Sequence, residues 1–169
     1  SPTINLWIKQ PDFCQFCSEL DYYLNQPLEF YDEPSRNGEC PCAHLGTGEK
    51  QISIHFVHYK TEKDASDSWE KRKARINRDN LYIITSDGNG SVESDFEKLE
   101  RVVCKRKIIF TTRKREDIKD SFELKSLNNE KSAAVHQIRQ NMFTGLKTWE
   151  YEFDYVAWLN DEEDFRLNK

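Results

Sequence analysis

Apolar residues fall in short runs between polar segments, and the spacing inside each run predicts its element. Ile52, Ile54 and Phe56 alternate with Ser53, His55 and Val57, a period of two that predicts a strand over Gln51–Tyr59. LYIIT, Leu81–Thr85, is a continuous apolar run of the kind a strand covered on both faces shows. Further strands are predicted at Ile4–Ile8, Leu28–Tyr31, Lys107–Thr112 and Phe122–Leu127. Helical spacing places a helix from Pro11 to about Asn25, with the proline in its first turn. Others follow over Glu62–Ile76, capped near Thr61, and over Val92–Val102, with two more near Ala133–Asn141 and Glu150–Leu159. Asp32–Lys50 holds two of the five prolines and three of the six glycines and reads as a loop.

Strands alternating with helices imply βαβ units and a parallel sheet. The predicted fold class is therefore α/β: a three-layer, Rossmann-like domain with a mainly parallel sheet, joined by right-handed crossovers. A chain of 169 residues suits one such domain over 1–160, and the acidic 161–169 reads as a solvated tail.

Composition narrows the classes. With 10 Phe, 7 Tyr and 4 Trp the chain is too aromatic for a disordered one, despite 33% charged residues. Its net charge of -5 excludes general nucleic-acid binding, which needs a basic footprint. No apolar window has the length of a membrane span. SPTINLWIKQ lacks the basic and apolar regions of a secretory signal, so a reducing cytoplasm is expected, and the start reads as the interior of a longer chain.

Five cysteines cannot all pair. Cys14, Cys17, Cys40 and Cys42 offer four thiolates at C-x-x-C and C-x-C spacing. Yet Phe13, Phe16, Cys17 and Leu20 share one helical face, which makes Cys17 a small core residue, so neither zinc nor a disulfide is expected. The loop DGNG resembles a calcium loop, but its sixth position is Val92 and its twelfth Lys98, which excludes an EF-hand.

In an open parallel sheet, ligands bind at the carboxyl ends of strands. Three predicted ends carry His58 and Tyr59, Ser86 and Asp87, and Thr111 and Thr112. On parity His55 and His58 face opposite ways, so they are not a metal pair. His58 at the rim is the better general base, and His55 reads as structural. The helix after His58 ends in cations. Arg72 and Arg75 read either as ordinary dipole partners or as a clamp for a phosphate.

The segments SPTINLWIKQPDFCQFCSELDYYL, IHFVHYKTEKDASDSWEKRKARINRDNLYIITSDGNG, KIIFTT, NNEKSAA and FTGLKTWEYEFDYVAWLN resemble, in order, a bacterial family of unknown activity associated with exopolysaccharide or capsular polysaccharide biosynthesis. The most specific part is HY-x9-W-x2-R-x2-RIN, which falls on His58, Tyr59, Trp69, Arg72, Arg75, Ile76 and Asn77. Family members begin with a strand and an Asn/Cys/Trp/Gly-rich turn that this sequence lacks.

The resemblance implies a cytoplasmic transferase acting on sugars, with a nucleotide sugar or acyl donor as substrate and no cofactor. His58 and Asp87 are the expected catalytic residues, and Tyr59, Arg72, Arg75, Asn77, Thr111 and Thr112 the expected substrate-binding ones. The alternative is a non-catalytic carbohydrate-binding or scaffold protein, with polysaccharide-assembly proteins as partners, using Trp7, Tyr59, Trp149 and Trp158 as stacking platforms.

Overall fold

The computed structural model describes residues 6–33, 39–88, 90–128, 130–133 and 152–167. They belong to two units, Ser1–Tyr82 with Gly90–Arg106 and Ile83–Asn89 with Lys107–Lys169. The elements run β1 (Trp7–Ile8), α1 (Gln10–Ser18), α2 (Leu20–Leu24), β2 (Leu28–Tyr31), β3 (Cys42–Leu45), β4 (Ile52–His55), α3 (Glu62–Lys73), β5 (Tyr82–Ser86), α4 (Glu93–Glu100), β6 (Arg106–Thr111), β7 (Ser121–Glu123) and α5 (Tyr155–Leu159).

The Rossmann-like expectation is overturned. Strands β1 to β4 form one antiparallel sheet in the order β1-β4-β3-β2, and β5 to β7 form a separate three-stranded sheet. The predicted strands around Ile52 and Leu81 thus belong to different sheets. The cause lies in Asp32–Lys50. Read as loop, it contains β3, which pairs with β2 on one side and β4 on the other. Strands joined by loops rather than crossover helices can pair antiparallel, and here they do.

The β3–β4 connection is built around Gly46, whose φ is +82°. A Cβ there would stand 2.8 Å from the Lys50 carbonyl oxygen, so only glycine fits. That carbonyl accepts a 2.7 Å hydrogen bond from the Tyr23 hydroxyl, which fixes the loop to α2. The expected helix to Asn25 is two helices, because Glu19 leaves helical geometry at φ -125°, ψ 41°. Thr61 caps α3 as the spacing implies, its Oγ1 accepting from the Asp64 amide at 3.1 Å.

Alternation gives the antiparallel sheet two unlike faces. Leu28 and Phe30, Ala43 and Leu45, Ile52 and Ile54, and Ile8 share one face by register. Ala43, Leu45, Ile52 and Ile54 are all buried. Helix α1 packs on β4 and on α4, and Phe16 of α1 meets Tyr23 and Trp69, their ring centroids 5.8 and 6.2 Å away. Burying each large aliphatic side chain contributes about 1.5–3 kcal/mol, so this face secures the unit.

In the second unit β5, β6 and β7 lie side by side, with β6 and β7 parallel. The β6–β7 link is unusually short for a parallel pair, which ordinarily needs a crossover of about a dozen residues or more. It turns on Ile118, only 2% exposed, and on the Arg115 carbonyl, which accepts from Ser121 Oγ at 2.7 Å. Phe110, Phe122 and Phe153 pack edge to face with centroids 5.0 to 5.9 Å apart. Phe165, inside the segment expected to be a solvated tail, packs on Phe122 and Phe153 at 6.0 and 5.5 Å. The predicted helix near Ala133–Asn141 lies outside the described residues beyond Ala133, as does Trp149.

Candidate functional site

The second face of the antiparallel sheet carries Trp7, Glu29, Tyr31, Cys42, His44, Ser53 and His55, because each is one step out of phase with the apolar set. Their register places them in two rows across the strands. In the first, Trp7 pairs with His55, His55 with Cys42, and Cys42 with Tyr31. In the second, Glu29 pairs with His44 and His44 with Ser53.

Within the first row, Cys42 Sγ lies 3.2 Å from His55 Nδ1. The thiol also reaches the Cys40 carbonyl oxygen at 3.5 Å. Both members of the pair are buried, Cys42 at 2% exposure and His55 at 5%. The Trp7 ring meets the imidazole edge-on at 4.7 Å. In the second row His44 Nδ1 lies 3.3 Å from Ser53 Oγ, and the His44 ring stacks on Tyr31 at 4.1 Å and 9°. Burial pushes the Tyr31 phenol above its ordinary pKa, with a hydrogen bond involving Ser53 opposing that shift. A thiol against an imidazole nitrogen is the arrangement of an activated nucleophile and its base.

The backbone of β4 is also tied to α1. The Ser53 amide donates to Asp12 Oδ2 at 3.2 Å, and burial holds the Asp12 carboxyl above its ordinary pKa.

In the second unit the polar groups sit at strand ends instead. Asp87 follows β5. Its amide donates to the Phe110 carbonyl oxygen at 2.9 Å, and its carboxylate accepts from the Thr112 amide at 3.2 Å and from the Ala133 amide. Burial raises the Asp87 carboxyl above the ordinary 3.8, and the Ala133 and Thr112 amides oppose the rise. Thr111, fully buried, spends its hydroxyl on the Arg113 carbonyl at 2.8 Å. Thr112 is buried as well.

The remaining predicted site residues lie around α3. The strand expected to reach Tyr59 stops at His55, so His58 is exposed in the turn that follows. Tyr59 is half-buried against Phe56, and its hydroxyl lies 2.8 Å from Ser68 Oγ. The Arg72 guanidinium stands 6.0 Å from the Tyr59 ring. Arg75, just past the end of α3, turns back onto it, its Nε donating to the Lys71 carbonyl at 3.1 Å, where a cation suits the negative helix end. Asn77 Oδ1 accepts from the Asp79 amide at 3.0 Å and caps the short turn Arg78–Asn80. Tyr59 and Arg72 are thus brought together, as are Asp87 and Thr112. The grouping of His58 with Asp87 requires one shared sheet, whereas His58 lies beyond β4 and Asp87 beyond β5, strands of two separate sheets.

Sequence reasoning passes over His44, Ser53 and Tyr31, weighs Cys42 only as a zinc thiolate, and assigns His55 to structure. The available signal was a matched pair of spacings, C-x-H at Cys42 and His44 and S-x-H at Ser53 and His55. Each places two polar groups on one strand face, but the first was hidden inside a segment read as loop. Among the described residues, no group of three or more His, Cys, Asp and Glu stands ready to hold a metal ion. All five cysteines are free thiols. No described helix is long and apolar enough to cross a membrane.

A family model described as a domain of unknown function, DUF1919, matches residues 1–160. An uncharacterized protein of Haemophilus influenzae is 33% identical over 162 residues, an alignment covering 95% of this chain and 73% of that protein. Both matches run through the two sheets and the sites on them, and the chain belongs to the DUF1919 family.

Proposed function

We propose that the chain is a cytoplasmic transferase acting on sugars in exopolysaccharide or capsular polysaccharide synthesis, with Asp87 orienting a sugar or ribose hydroxyl. The observation that carries this is the half-buried Asp87 carboxylate at the end of β5, held by amides of two other segments. An ionised carboxylate offers about four acceptor positions. Two are met by Thr112 and Ala133, which fix the group and leave capacity for a substrate hydroxyl. The strand-end position is the usual one for a ligand on a parallel pair of strands. The pathway itself rests on the resemblance of the motifs around His58 and Asp87, and the donor class is a nucleotide sugar or an acyl donor.

The rival reading is a non-catalytic carbohydrate platform. Trp158 is 1% exposed and closed to a sugar ring, so that reading rests on the half-buried Trp7 and Tyr59.

A thermal-shift screen against nucleotide sugars and acyl donors tests the proposal. A binding donor raises the melting temperature by mass action. Asp87→Asn should abolish that shift while still melting cooperatively, and His58→Ala reports whether the imidazole takes part. A donor-induced shift that survives in Asp87→Asn removes the carboxylate from the site. A shift with free polysaccharide and none with any donor favours the platform.

A further inference from the structure

The polar face of the antiparallel sheet has a chemistry that the Asp87 site does not use. We infer that Cys42 and His55 form a separate reactive centre, a thiol–imidazole pair that takes an acyl group from a thioester. Three observations converge. The Cys42 Sγ to His55 Nδ1 separation of 3.2 Å is within reach of direct proton transfer. The pair sits in a strand register that fixes both backbones, since Cys42 and His55 are direct cross-strand partners. Around it stand Trp7, Tyr31, His44 and Ser53, all half-buried, so the buried pair has a half-open polar surround rather than an apolar one.

Other uses of the pair fit less well. A metal needs further ligands, and no such group of three exists among the described residues. A dithiol redox centre needs a second sulfur, whereas the contact from Cys42 to Cys40 is to its carbonyl oxygen. Acyl capture needs only the nucleophile and the base.

The step balances without any co-reactant. Cys42 Sγ attacks the thioester carbonyl carbon while its proton passes to His55 Nδ1. The original carbon–sulfur bond then breaks, and the departing thiolate takes the proton from Nδ1. The products are S-acyl-Cys42 and a free thiol. One thioester replaces another, so no oxidant, reductant or activating nucleotide enters. Ser53, whose hydroxyl lies 3.3 Å from His44 Nδ1, and Tyr31 place hydroxyl groups beside this centre.

The test is acylation of the full chain by S-acetyl-N-acetylcysteamine, a small acyl thioester, followed by intact-mass and peptide-level analysis. The expected result is one acetyl group on Cys42, absent in Cys42→Ser. His55→Gln should slow its appearance about 10²-fold or more, the usual worth of a general base. Absence of an adduct on folded protein overturns the inference, as does an adduct confined to the half-exposed Cys104. An unchanged rate in His55→Gln overturns it too. Should His55→Gln fail to fold, the wild-type pH profile of Cys42 alkylation by iodoacetamide decides. A rate that stays high below pH ~7 supports the pair, because an imidazole partner lowers a thiol's pKa, and a rate that rises only near pH ~8.5 overturns it. The readout is a covalent adduct and not donor binding, so this test and that of the Asp87 site can fail separately.

Discussion

The two sheets store their polar chemistry in different places. The antiparallel sheet displays it on a face, where Cys42, His44, Ser53, His55 and Tyr31 stand together. The three-stranded sheet keeps it at strand ends, where Asp87 and Thr112 meet, while Ile108, Ile109 and Phe110 within β6 are all buried. The difference follows from pairing. Antiparallel sheets can leave one face uncovered, so alternation sorts residues by face. Parallel pairs are ordinarily covered on both sides, so their polar groups survive at the ends. A search for sites should therefore follow parity in the first sheet and strand termini in the second.

The largest expected effect tests how completely the second sheet depends on its core. Phe153 is 1% exposed and touches Phe110, Phe122, Trp158 and Phe165. Phe153→Ala should cost about 3–5 kcal/mol, read from chemical denaturation. A cost under about 1 kcal/mol would mean that the aromatic cluster does not hold this unit. The matching change in the first sheet, Ile54→Ala on the apolar face, should cost about 2–5 kcal/mol.

A smaller effect concerns Asp87. The truncation Asp87→Ala leaves the Thr112 and Ala133 amides without their carboxylate, a loss of about 1–3 kcal/mol for each one left buried and unpaired. Its pH dependence runs opposite to that of a salt-bridged acid. Burial raises its folded pKa above 3.8, so the folded chain holds the proton more tightly than the unfolded one. The contribution of this group to stability is therefore fully present below pH 3.8 and is lost as pH rises through the raised value. Wild type and Asp87→Asn, compared by denaturation from acid to neutral pH, should differ by that falling slope. A difference that instead grows with pH across this window would show that the amide hydrogen bonds, not burial, control the group.

Much of this was legible in the sequence, and the misses have physical causes. The strand cores around Leu28, Ile52, Leu81 and Lys107 follow from local apolar patterning and appear where expected, with shifted ends. Direction of pairing did not follow, because alternation of strands with helices carries no information about a strand hidden between Pro34 and Gly46. Pro41 immediately precedes β3 and Gly46 immediately follows it, so residues read as loop punctuation mark the strand's boundaries. With β3 in place, β2, β3 and β4 follow one another with no helix longer than a single turn between them among the described residues, and pair antiparallel. Asp87 was visible because it ends an obvious apolar run. The Cys42–His55 pair was not, because its two halves lie on different strands and their register is a tertiary property.

The smallest expected effect is the sharpest test of the face assignment. Ser53 and Ile54 are adjacent, yet Ser53 is half-buried on the polar face and Ile54 is fully buried on the other. Ser53→Ala removes a hydroxyl 3.3 Å from His44 Nδ1 but keeps the backbone amide that donates to Asp12. A net hydrogen bond of this kind contributes about 0.5–1.5 kcal/mol, and partial exposure lets water replace part of it. The expected loss is therefore about 1 kcal/mol or less, well below that of Ile54→Ala, in the same denaturation assay. Because a one-residue slip in strand register exchanges the two faces, equal losses at Ser53 and Ile54 would contradict the register that brings Cys42 to His55.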